Sequence, residues 1–587
     1  MAATPAVTVL LVLVAGLLSQ WLAWGLRLPA IVILIVAGLL LGPATGVLQF
    51  PATDPGLEAL IGLGVAVILF EGGMNLELRE FRRVGRQVRS LVLLGPPVAM
   101  ALGALAAHYA GGLEWPVAWV LGAILVVTGP TVIQPLLRVA RLNADSGALL
   151  KWEGIVNDPV GVLLAVLTYQ YFAFPDAGGS VGGLLLNLGG TMVIAGGLGG
   201  LSGWLLGWLY RRGGAPEYLK PALLLVLVLI VYFAANRIQH ESGLLAVTVM
   251  GLVVANMRLG GLEDLRRFKE NLAVVLISAL FIVLTARLAP AELAALDWRA
   301  LAAVLAFVVL VRPLAIFIST IGSGMKAADR ALLGWIAPRG IVAAATAGVL
   351  GPELVHAGYA DAALLQPLVF AVILVTVLLH GVTIAPLGRR LGLGAEQAGG
   401  LLIVGATPWT TSLARALHRA GVAVVLVDGV WRRLKEARLA EVPVYFGEIL
   451  SEHAESWVET HHLDSLLCAT GNDFYNALVC RAMAPEFGQH RVFQLPVKEA
   501  SRNDERHLLR EQRGEFVLDP GCDYDRLEAL LEEGWAFQTT RITDEHGVEQ
   551  IEQARGEQWL PVALLSDSGA VTLYSDALPF NPGPGQR

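Results

Sequence analysis

Long apolar runs alternate with short polar segments over the first two thirds of the chain. We count thirteen such runs before about residue 390, each roughly 17 to 25 residues long, the length of helix that spans a hydrocarbon core of about 30 Å. The predicted spans are 6–24, 28–48, 57–73, 89–111, 115–137, 147–171, 187–210, 219–236, 242–257, 267–287, 299–321, 330–350 and 364–389. The pattern predicts an α-helical polytopic membrane domain over residues 1–390, followed by a soluble α/β tail.

The composition agrees with a membrane protein. The 587 residues are 55% hydrophobic and 16% charged, and the mean hydropathy of +0.63 is too high for a soluble enzyme of this size. The net charge of −7 says nothing about nucleic acid, but the arginines are scattered between apolar runs, so we expect no nucleic-acid partner. The cysteines Cys468, Cys480 and Cys522 all fall in the tail without CxxC spacing, so we expect free thiols of a cytosolic domain.

Basic residues are distributed unequally between the loops. With the N-terminus outside, the inner loops and flanks hold twenty arginines and lysines, whereas the outer ones hold only Arg237, Arg287 and Arg299. The positive-inside rule then predicts an odd number of spans in a bacterial-type inner (plasma) membrane and a cytoplasmic tail. The first run has no basic segment before it, so we expect a retained span rather than a cleaved signal peptide.

Two of the predicted spans are interrupted in the middle. The fifth contains Thr128-Gly129-Pro130, and the twelfth, seven spans later, contains Ala337-Pro338-Arg339-Gly340. Gly and Pro break helices, and matched interruptions in two halves of a chain indicate inverted repeats with a binding site near the midplane of the membrane. The pattern therefore predicts two broken helices that cross at the site of a transporter.

The sixth run carries two acids. A charge inside a span costs about 3 kcal/mol on insertion scales, so each acid needs a partner or water. Glu153 and Asn157 share one face of the predicted helix, which suits them to hold an arginine. Asp158 stands on another face above Gly154, where we expect room for an ion or water, and Pro159 leaves one backbone oxygen free nearby. This segment is the candidate site for a cation or a proton.

Three further charges lie in or beside the spans. Arg312, in the eleventh run, is the expected partner of the acid and amide pair, because unpaired charges at that depth would cost more. Arg339, at the second break, is expected to set the electrostatics of the site rather than bind a cation. Glu71, at the end of the third run, lies either near the ion path or in solvent beside a basic loop. Asp158 has no cationic neighbour in the sequence, so we expect it to bind the transported ion.

Several motifs follow one another along the predicted spans. They are Leu26-Arg27-Leu28-Pro29 leading to Gly38-Leu39-Leu40-Leu41-Gly42-Pro43, Phe70-Glu71-Gly72-Gly73, Glu153-Gly154-Ile155-Val156-Asn157-Asp158 and Ala337-Pro338-Arg339-Gly340. In this order they resemble the cation/proton antiporter-1 family, the NhaP antiporters and sodium/proton exchangers, over about residues 5–390. The resemblance implies a homodimer in the lipid bilayer that needs no cofactor for transport.

The resemblance also implies roles for single residues. Asp158 resembles the aspartate that alternately binds Na⁺ and a proton, and Asn157 resembles the asparagine that marks electroneutral exchange. Thr128 resembles a threonine whose oxygens help to ligate the Na⁺. Glu153 and Arg312 resemble the ion pair that props the site. Together these residues imply exchange of one cation for one proton.

Two departures from the family pattern affect the predicted ion site. Gly129 stands where an aspartate is usual, and Gly154 stands where a serine is frequent. The site therefore offers fewer protein oxygens, and we expect water to complete the shell around the ion. Glu71 resembles an acidic residue near the ion path. Na⁺ is the leading candidate for the transported cation, and K⁺ is the alternative.

The tail begins with the pattern of a Rossmann βαβ unit. A strand at 401–404 runs into a turn at Gly405, a helix is predicted at 412–420, and a second strand at 423–427 ends in Asp428. The glycine fingerprint is degenerate, because Thr407 and Thr410 replace its second and third glycines. A side chain at position 407 would crowd a pyrophosphate. We therefore expect a regulatory mononucleotide, such as AMP or ATP, rather than NAD, or no ligand.

Later strands complete the candidate nucleotide site. Glu448 and Asn472 follow two of them and join Gly405, Thr407, Thr410 and Asp428 as predicted binding residues. Over about 398–500 the order resembles the RCK or TrkA-N regulatory domains of potassium channels and antiporters. Residues 515–587 predict a separate small α+β module, either a dimer-stabilising cap or a second sensor.

Two other classes of protein are alternatives to an antiporter. A membrane-bound nicotinamide-dependent oxidoreductase would use the Rossmann unit catalytically, but the glycine fingerprint is not intact and the membrane acids would have no role. A channel would need a continuous filter-like segment, and the sequence contains none. A secondary antiporter, regulated by its tail, is therefore the leading hypothesis, and we expect no enzymatic activity.

Overall fold

The computed structural model consists of two compact units, residues 1–394 and 395–587. It describes residues 5–586 except 27, 51–53, 141, 174–180, 240–241, 258–261, 394–398, 452–453, 455–462, 498–508, 510–511, 544–546, 548–549, 552–555, 557–558, 567–569, 576–581 and 584. Arg27 of the first motif lies outside the described residues, as do parts of the predicted linker and of the segment 515–587.

Every regular secondary-structure element in the described residues of the first unit is a helix. Its helices are α1 (Pro5–Leu26), α2 (Ala30–Leu39), α3 (Pro55–Met74), α4 (Leu78–Leu93), α5 (Gly95–Tyr109), α6 (Trp115–Ile124), α7 (Pro130–Ala140), α8 (Ala144–Ala173), α9 (Val181–Arg211), α10 (Lys220–Ile238), α11 (Ser242–Ala255), α12 (Leu262–Ala286), α13 (Pro290–Ala294), α14 (Trp298–Ala306), α15 (Arg312–Ser319), α16 (Ala327–Trp335), α17 (Ile341–His356) and α18 (Leu365–Arg390). Wide π-helical turns at Leu40–Ala44 and Phe307–Val311 continue α2 and join α14 to α15.

Every predicted span falls on one of these helices or on a pair of them. Within the described part of the chain, eight helical segments are long and apolar enough to cross a membrane, and four apolar helices are shorter. The number of thirteen spans stays a prediction. Aspartates begin two of the helices: Asp54 accepts hydrogen bonds from the first turn of α3, and Asp297 does the same for α14.

Both predicted interruptions are confirmed as breaks. Helix α6 ends at Ile124 and α7 begins at Pro130, while α16 ends at Trp335 and α17 begins at Ile341. Proline explains part of each break, because Pro130 and Pro338 have no amide hydrogen for a continuing helix. Backbone groups freed at this depth must find other partners or line a cavity.

Helix packing divides the first unit into two bundles. Helix α11 packs against α3 and α9, and α12 packs against α1 and α2, which groups α1–α3 with α9–α12. Helix α8 packs against α4, α6 and α7, and α18 packs against α7 and α17. The second bundle thus comprises α4–α8 and α14–α18. It contains both broken helices and touches the first bundle mainly through α8 and α17.

The second unit is a doubly wound α/β domain. Its elements are β1 (Gly400–Val404), α19 (Pro408–Arg419), β2 (Val424–Asp428), α20 (Trp431–Leu439), β3 (Val444–Phe446), β4 (Leu463–Cys468), α21 (Asp473–Phe487), β5 (Val492–Gln494), β6 (Glu515–Phe516), α22 (Tyr524–Glu532), β7 (Ala563–Leu565) and β8 (Val571–Leu573). The six-stranded sheet has the order β3-β2-β1-β4-β5-β6 with all neighbours parallel, which confirms the predicted Rossmann arrangement.

Two details of the tail differ from the sequence prediction. Helix α19 begins at Pro408 rather than at residue 412, because Thr407 caps it and proline is favourable in the first turn. The predicted separate module also shares the Rossmann sheet, since β6 pairs with β5. Leu530 and Leu573 are buried in the same core as Leu401 of β1, so the C-terminal segment completes the domain.

Candidate functional site

One face of α8 lies directly against the first helix break. A Cβ at Gly154 would lie 2.5 Å from Cδ1 of Ile133 and 3.4 Å from the carbonyl oxygen of Thr128. A Cβ at Gly161 would lie 2.5 Å from Cγ2 of Val127 and 3.1 Å from its backbone nitrogen. Asp158 is on the same face, between the two glycines. The expectation of free room over Gly154 is therefore corrected, because Ile133 fills that space.

Four side-chain oxygens near this contact make no regular hydrogen bond among the described residues, although the backbone N–H of Thr128 faces the Asp158 carboxylate. They are both carboxylate oxygens of Asp158, Oδ1 of Asn157 and Oγ1 of Thr128. All three residues are buried, Asp158 completely. Buried polar atoms are almost always paired, and an unpaired one costs about 1–3 kcal/mol or more when charged. This group of oxygens is therefore suited to a cation, a proton or bound water.

Arg339 joins the two breaks. Its Nη1 donates to the carbonyl oxygens of Val126 and Val127 at 3.2 and 3.0 Å, and its backbone N–H donates to Oγ1 of Thr376 at 3.3 Å. These carbonyls follow the end of α6, where a helix carries partial negative charge. Arg339 also interacts electrostatically with Asp158 but makes no described hydrogen bond to it. This arrangement agrees with a role in the electrostatics of the site.

Glu153 and Arg312 form the predicted buried ion pair. Nη1 and Nη2 of Arg312 donate to the two carboxylate oxygens of Glu153 at 2.5 and 2.8 Å. Nε of Arg312 donates to the carbonyl oxygen of Leu333 at 2.9 Å, and Nη2 also donates to that of Ile336 at 3.2 Å. Asn157 is not part of this network, contrary to the prediction, because backbone carbonyls at the end of α16 accept from two of the three remaining N–H groups of the guanidinium.

Glu71 is buried and belongs to a different group. It accepts a hydrogen bond from Nδ2 of Asn75 at 2.8 Å and faces Nζ of Lys269 at 3.5 Å. Lys269 donates to Oδ1 of Asn75 at 2.7 Å and is itself buried. The reading of Glu71 as a solvated acid is corrected. Its described partners lie on α3 and α12, and none belongs to the group around Asp158.

The structure adds functional candidates that the sequence analysis did not single out. His380 is buried beside the second break, where Nδ1 faces the backbone N–H of Ala337 at 3.4 Å and Nε2 has no described partner. It lines a small cavity together with Arg312, Arg339 and Thr376, and Asp158 does not line this cavity. His380 is an ionisable residue in the middle of a predicted span, a signal that could have identified it, whereas Lys269 lies near the start of its span and resembles a basic flank.

In the tail, the two threonines of the degenerate fingerprint cap α19. Oγ1 of Thr407 accepts from the backbone N–H of Thr410 at 3.1 Å, and Oγ1 of Thr410 accepts from that of Thr407 at 2.8 Å. The Thr410 hydroxyl also donates to the carbonyl oxygen of Gly405 at 2.6 Å. Gly405 has a φ of +105°, and a Cβ there would lie 2.8 Å from Thr470. The two loops that flank the crevice between β1 and β4 are thus in close contact.

Carboxylates accept hydrogen bonds from other backbone N–H groups of this turn. Asp428 accepts from the backbone N–H of Ala406 at 2.8 Å and from that of Val430 at 2.7 Å. Glu528, on α22, accepts from the backbone N–H of Trp409 at 3.3 Å. A bound phosphate would need these donors and would meet negative charge instead. The residues present therefore do not fit a nucleotide phosphate at this turn.

The last two predicted nucleotide residues also have structural partners. Asn472 caps α21 by accepting from the backbone N–H of Tyr475 at 3.0 Å, and Glu448 accepts a short hydrogen bond from the Tyr475 hydroxyl. Burial, followed by the charge and hydrogen bond of Glu448, raises the pKa of Tyr475 above its ordinary value, so the hydroxyl stays protonated and donates. All six predicted residues are in the tail domain, but their polar groups form hydrogen bonds that stabilise its fold.

Solved structures and curated proteins resemble part of this chain. The sodium proton antiporter MjNhaP1 from Methanocaldococcus jannaschii, solved at pH 8, superposes with a TM-score of 0.57 at 23% identity, over 65% of this chain and 97% of that one. This likeness shows a shared fold.

Two curated relatives carry transporter names. The K(+)/H(+) antiporter NhaP2 of Shewanella sp. (strain ANA-3) is 28% identical over 367 residues, which is 62% of this chain and 63% of the relative. The Na(+)/H(+) antiporter 1 of Methanocaldococcus jannaschii is 25% identical over 360 residues, or 59% and 82% of the two chains. The chain therefore matches less than two thirds of the length of the NhaP2 relative.

Family profiles divide the chain as its two units do. The TrkA-N domain profile matches residues 401–515, which contain the six parallel strands from β1 to the start of β6. The profile described as sodium/hydrogen exchanger, transmembrane, matches residues 9–390, which include both broken helices, Asp158 and the Glu153–Arg312 pair. Because this second match covers more than half of the sequence, the chain belongs to the sodium/hydrogen exchanger family of transmembrane proteins.

Proposed function

We propose that the protein is a secondary antiporter that exchanges Na⁺ for protons, with Asp158 binding the cation and the proton in competition. The observation that carries the proposal is the group of buried, unpartnered oxygens of Asp158, Asn157 and Thr128 beside the first break. Oxygen ligands suit alkali cations, and a carboxylate also accepts a proton. One carboxylate that serves both ions allows only one of them to be bound at a time.

Exchange follows from the cost of an empty site. A bare carboxylate in a medium of low dielectric constant is far less stable than one that carries a proton or a cation. The protein would therefore change its access from one side of the membrane to the other mainly with Asp158 loaded. A cation carried one way and a proton carried the other way then give antiport. With Asn157 rather than a second acid beside it, the site carries one charge in each direction, which makes the exchange electroneutral.

The division into two bundles supports alternating access. Asp158 is completely buried, and both breaks lie in the same bundle as α8. The contacts between the bundles run mainly through α8 and α17, the helices next to the site. We propose that the bundle of α4–α8 and α14–α18 moves against the bundle of α1–α3 and α9–α12, so that Asp158 faces one side and then the other.

K⁺ is the second candidate for the transported cation. The NhaP2 relative is named a K⁺/H⁺ antiporter, and the more distant archaeal relative is named a Na⁺/H⁺ antiporter. Gly129 and Gly154 supply no side-chain oxygen, so water would complete the shell around either ion. We propose that the N-terminus is outside, that the tail is cytoplasmic and that the protein is a homodimer; the first two follow from the positive-inside pattern.

A regulatory role of the tail completes the proposal. The TrkA-N match over residues 401–515 supports it. A nucleotide phosphate at the turn between β1 and α19 is left out of the proposal, because Asp428, Glu528 and the capping threonines already bond the amide hydrogens there. A nicotinamide-dependent oxidation would require a dinucleotide at that same turn, so it has no part in the proposal.

Exchange in proteoliposomes tests this function. Vesicles with a pH-sensitive dye inside are given an acid interior, and Na⁺, K⁺ or Li⁺ is then added outside in parallel samples. We expect the interior to become alkaline without a change in a voltage-sensitive dye. Asp158→Asn is expected to abolish this response, since the amide can neither take a proton nor balance a cation. Asp145→Asn is the matched control, because Asp145 is an exposed acid on the same helix.

Two results would contradict the proposal. Exchange retained by a folded Asp158→Asn variant would move the ion site elsewhere in the protein. A membrane potential generated by the wild type on addition of the cation would refute the electroneutral stoichiometry that Asn157 implies. The order of rates among the three cations decides between Na⁺ and K⁺.

A further inference from the structure

Helix α4 has two opposite faces of different chemistry. Its inward face consists of the half-buried Phe81 and the buried Val84, Val88 and Leu91. Four exposed arginines each precede one of these residues by two positions, which is about 200° around a helix and hence the opposite face. This arginine stripe consists of Arg79, Arg82, Arg86 and Arg89. The spacing of two residues between each arginine and its inward partner is the same on both sides of Val84, so the two faces stay opposite each other across the bend there.

The stripe keeps its positive charge. The other charged side chains of α4 are paired with α8: Glu80 with Lys151 at 2.5 Å, and Arg83 with Asp145 at 2.6 Å. Within the described part of the chain, the stripe arginines form no ion pair with a carboxylate. Arg86 donates one hydrogen bond to the carbonyl oxygen of Gly322 at 2.8 Å, which leaves its charge unbalanced. The guanidinium group of Arg89 also lies over the ring of Phe81, 5.8 Å from the ring centroid, a contact that does not neutralise its charge. Four guanidinium groups without a carboxylate partner therefore lie along the exposed side of α4.

The chemistry and position of the stripe indicate its partner. Residues 78–93 contain five arginines and no lysine. A guanidinium offers paired N–H donors that match two phosphate oxygens at once, whereas an ammonium acts as a point charge. Helix α4 leads directly into the apolar α5, and the two together form one of the segments long enough to cross a membrane. A basic stripe at the start of such a segment lies at the depth of the lipid headgroups.

We propose that the arginine stripe of α4 binds the headgroup phosphates of anionic phospholipids in the leaflet that it faces. Each basic residue near an anionic surface strengthens binding by about fivefold. The three arginines without a backbone partner, Arg79, Arg82 and Arg89, would together account for about a hundredfold preference for anionic over zwitterionic lipid. Lipid held on this face supports α4 from the outside.

Bound lipid would also affect transport, a part of the inference that rests on the proposed function. The inward face of α4 packs on the first turns of α8, where the rings of Phe81 and Trp152 are 5.0 Å apart. Trp152 is next to Glu153, and the ion pair with Glu80 ties Lys151, the residue before Trp152, to α4. Headgroups that hold α4 thus hold the part of α8 that leads to Asp158. We expect faster exchange in vesicles that contain anionic lipid.

Lipid binding is measured on the full-length protein in detergent. Native mass spectrometry would count bound lipids during titration with phosphatidylglycerol or phosphatidylcholine. The variant combines Arg79→Gln, Arg82→Gln and Arg89→Gln. The control combines Arg419→Gln, Arg432→Gln and Arg481→Gln, which removes the same charge from exposed positions of the tail; the substituted residues are all exposed. We expect the stripe variant to lose at least tenfold of the preference for phosphatidylglycerol and the control to keep it.

Four outcomes would overturn the inference. Three concern binding: a stripe variant that keeps the preference, a control that loses it equally, or displacement of the lipid by millimolar inorganic phosphate. The fourth is measurable exchange that is no faster in phosphatidylglycerol vesicles than in phosphatidylcholine vesicles. The third would indicate a site for free anions. The binding measurement does not depend on transport. If the wild type binds phosphatidylglycerol through the stripe but exchanges no cation in either vesicle, the lipid site stands and the proposed function fails.

Discussion

Replacement of Arg312 by glutamine tests how the ion site is held together. The arginine donates two hydrogen bonds to Glu153 and one each to the carbonyl oxygens of Leu333 and Ile336. Its loss would leave a buried carboxylate without a counter-ion, which costs about 3–5 kcal/mol. At about 2 °C per kcal/mol for a large domain, we expect the apparent Tm to fall by about 6–10 °C. Exchange should be lost as well.

The matched comparison is a second arginine pair in a more exposed place. Nη1 of Arg526 lies 2.9 Å from Oε1 of Glu533, and the two side chains are 49% and 51% exposed. Such pairs contribute about 0–1 kcal/mol, so Arg526→Gln should change Tm by about 2 °C or less. Tm is followed by intrinsic fluorescence on detergent-solubilised protein, and exchange is followed in proteoliposomes with the pH-sensitive dye.

A double variant separates charge from position. Glu153→Gln with Arg312→Gln removes both buried charges, so most of the lost stability should return. The hydrogen bonds to the carbonyl oxygens of Leu333 and Ile336 at the end of α16 remain absent, and exchange should therefore stay impaired. The reasoning is refuted if Arg312→Gln alone has the Tm of the wild type, or if the double variant exchanges at the rate of the wild type.

Two further predictions concern the close packing of α8 and the tail. Gly161→Ala would push a methyl group against both the side chain and the backbone of Val127, so we expect a loss of about 1–3 kcal/mol of stability and slower exchange. Gly147→Ala is the control on the same helix, because a Cβ there would have no atom within 4 Å. Equal Tm values for the two variants would contradict the packing argument. Equilibrium dialysis of the full-length protein against labelled ATP or NADH should detect no binding below about 1 mM. A charge-assisted contact at a helix N-terminus contributes only about 1 kcal/mol, and Glu528 already makes that contact with the N-terminus of α19. Nucleotide binding in the micromolar range would show that α22 leaves the turn.

The membrane features that followed from the sequence are those set by the cost of polarity in lipid. The Glu153–Arg312 pair was predictable because two opposite charges in separate apolar runs have few other partners. Both breaks were predictable because glycine and proline end helices. The parallel βαβ arrangement of the tail followed in the same way, from short buried runs that end in Gly405 and Asp428.

Other features depend on contacts between distant parts of the chain. Asn157 has the spacing of a partner for Arg312, but the carbonyls of α16 take that place, and no local pattern locates them. Lys269 begins a predicted span and reads as part of its basic flank, although it is buried against Glu71. Thr407 occupies a position where ligand binding and helix capping need the same residue type, and only the partner of its hydroxyl distinguishes them.

Arg339 and Arg312 bond the helix ends at the two breaks, and this would explain why the proposed ion site takes a single monovalent cation. Arg339 binds the carbonyls that follow α6, and Arg312 binds those at the end of α16. Each helix end would otherwise contribute about half a negative charge to the space between the breaks. With both ends bonded to guanidinium groups and Glu153 paired with Arg312, Asp158 is left as the carboxylate without a described hydrogen bond. One proton or one monovalent cation neutralises it, and a second cation would meet the positive charge of Arg339.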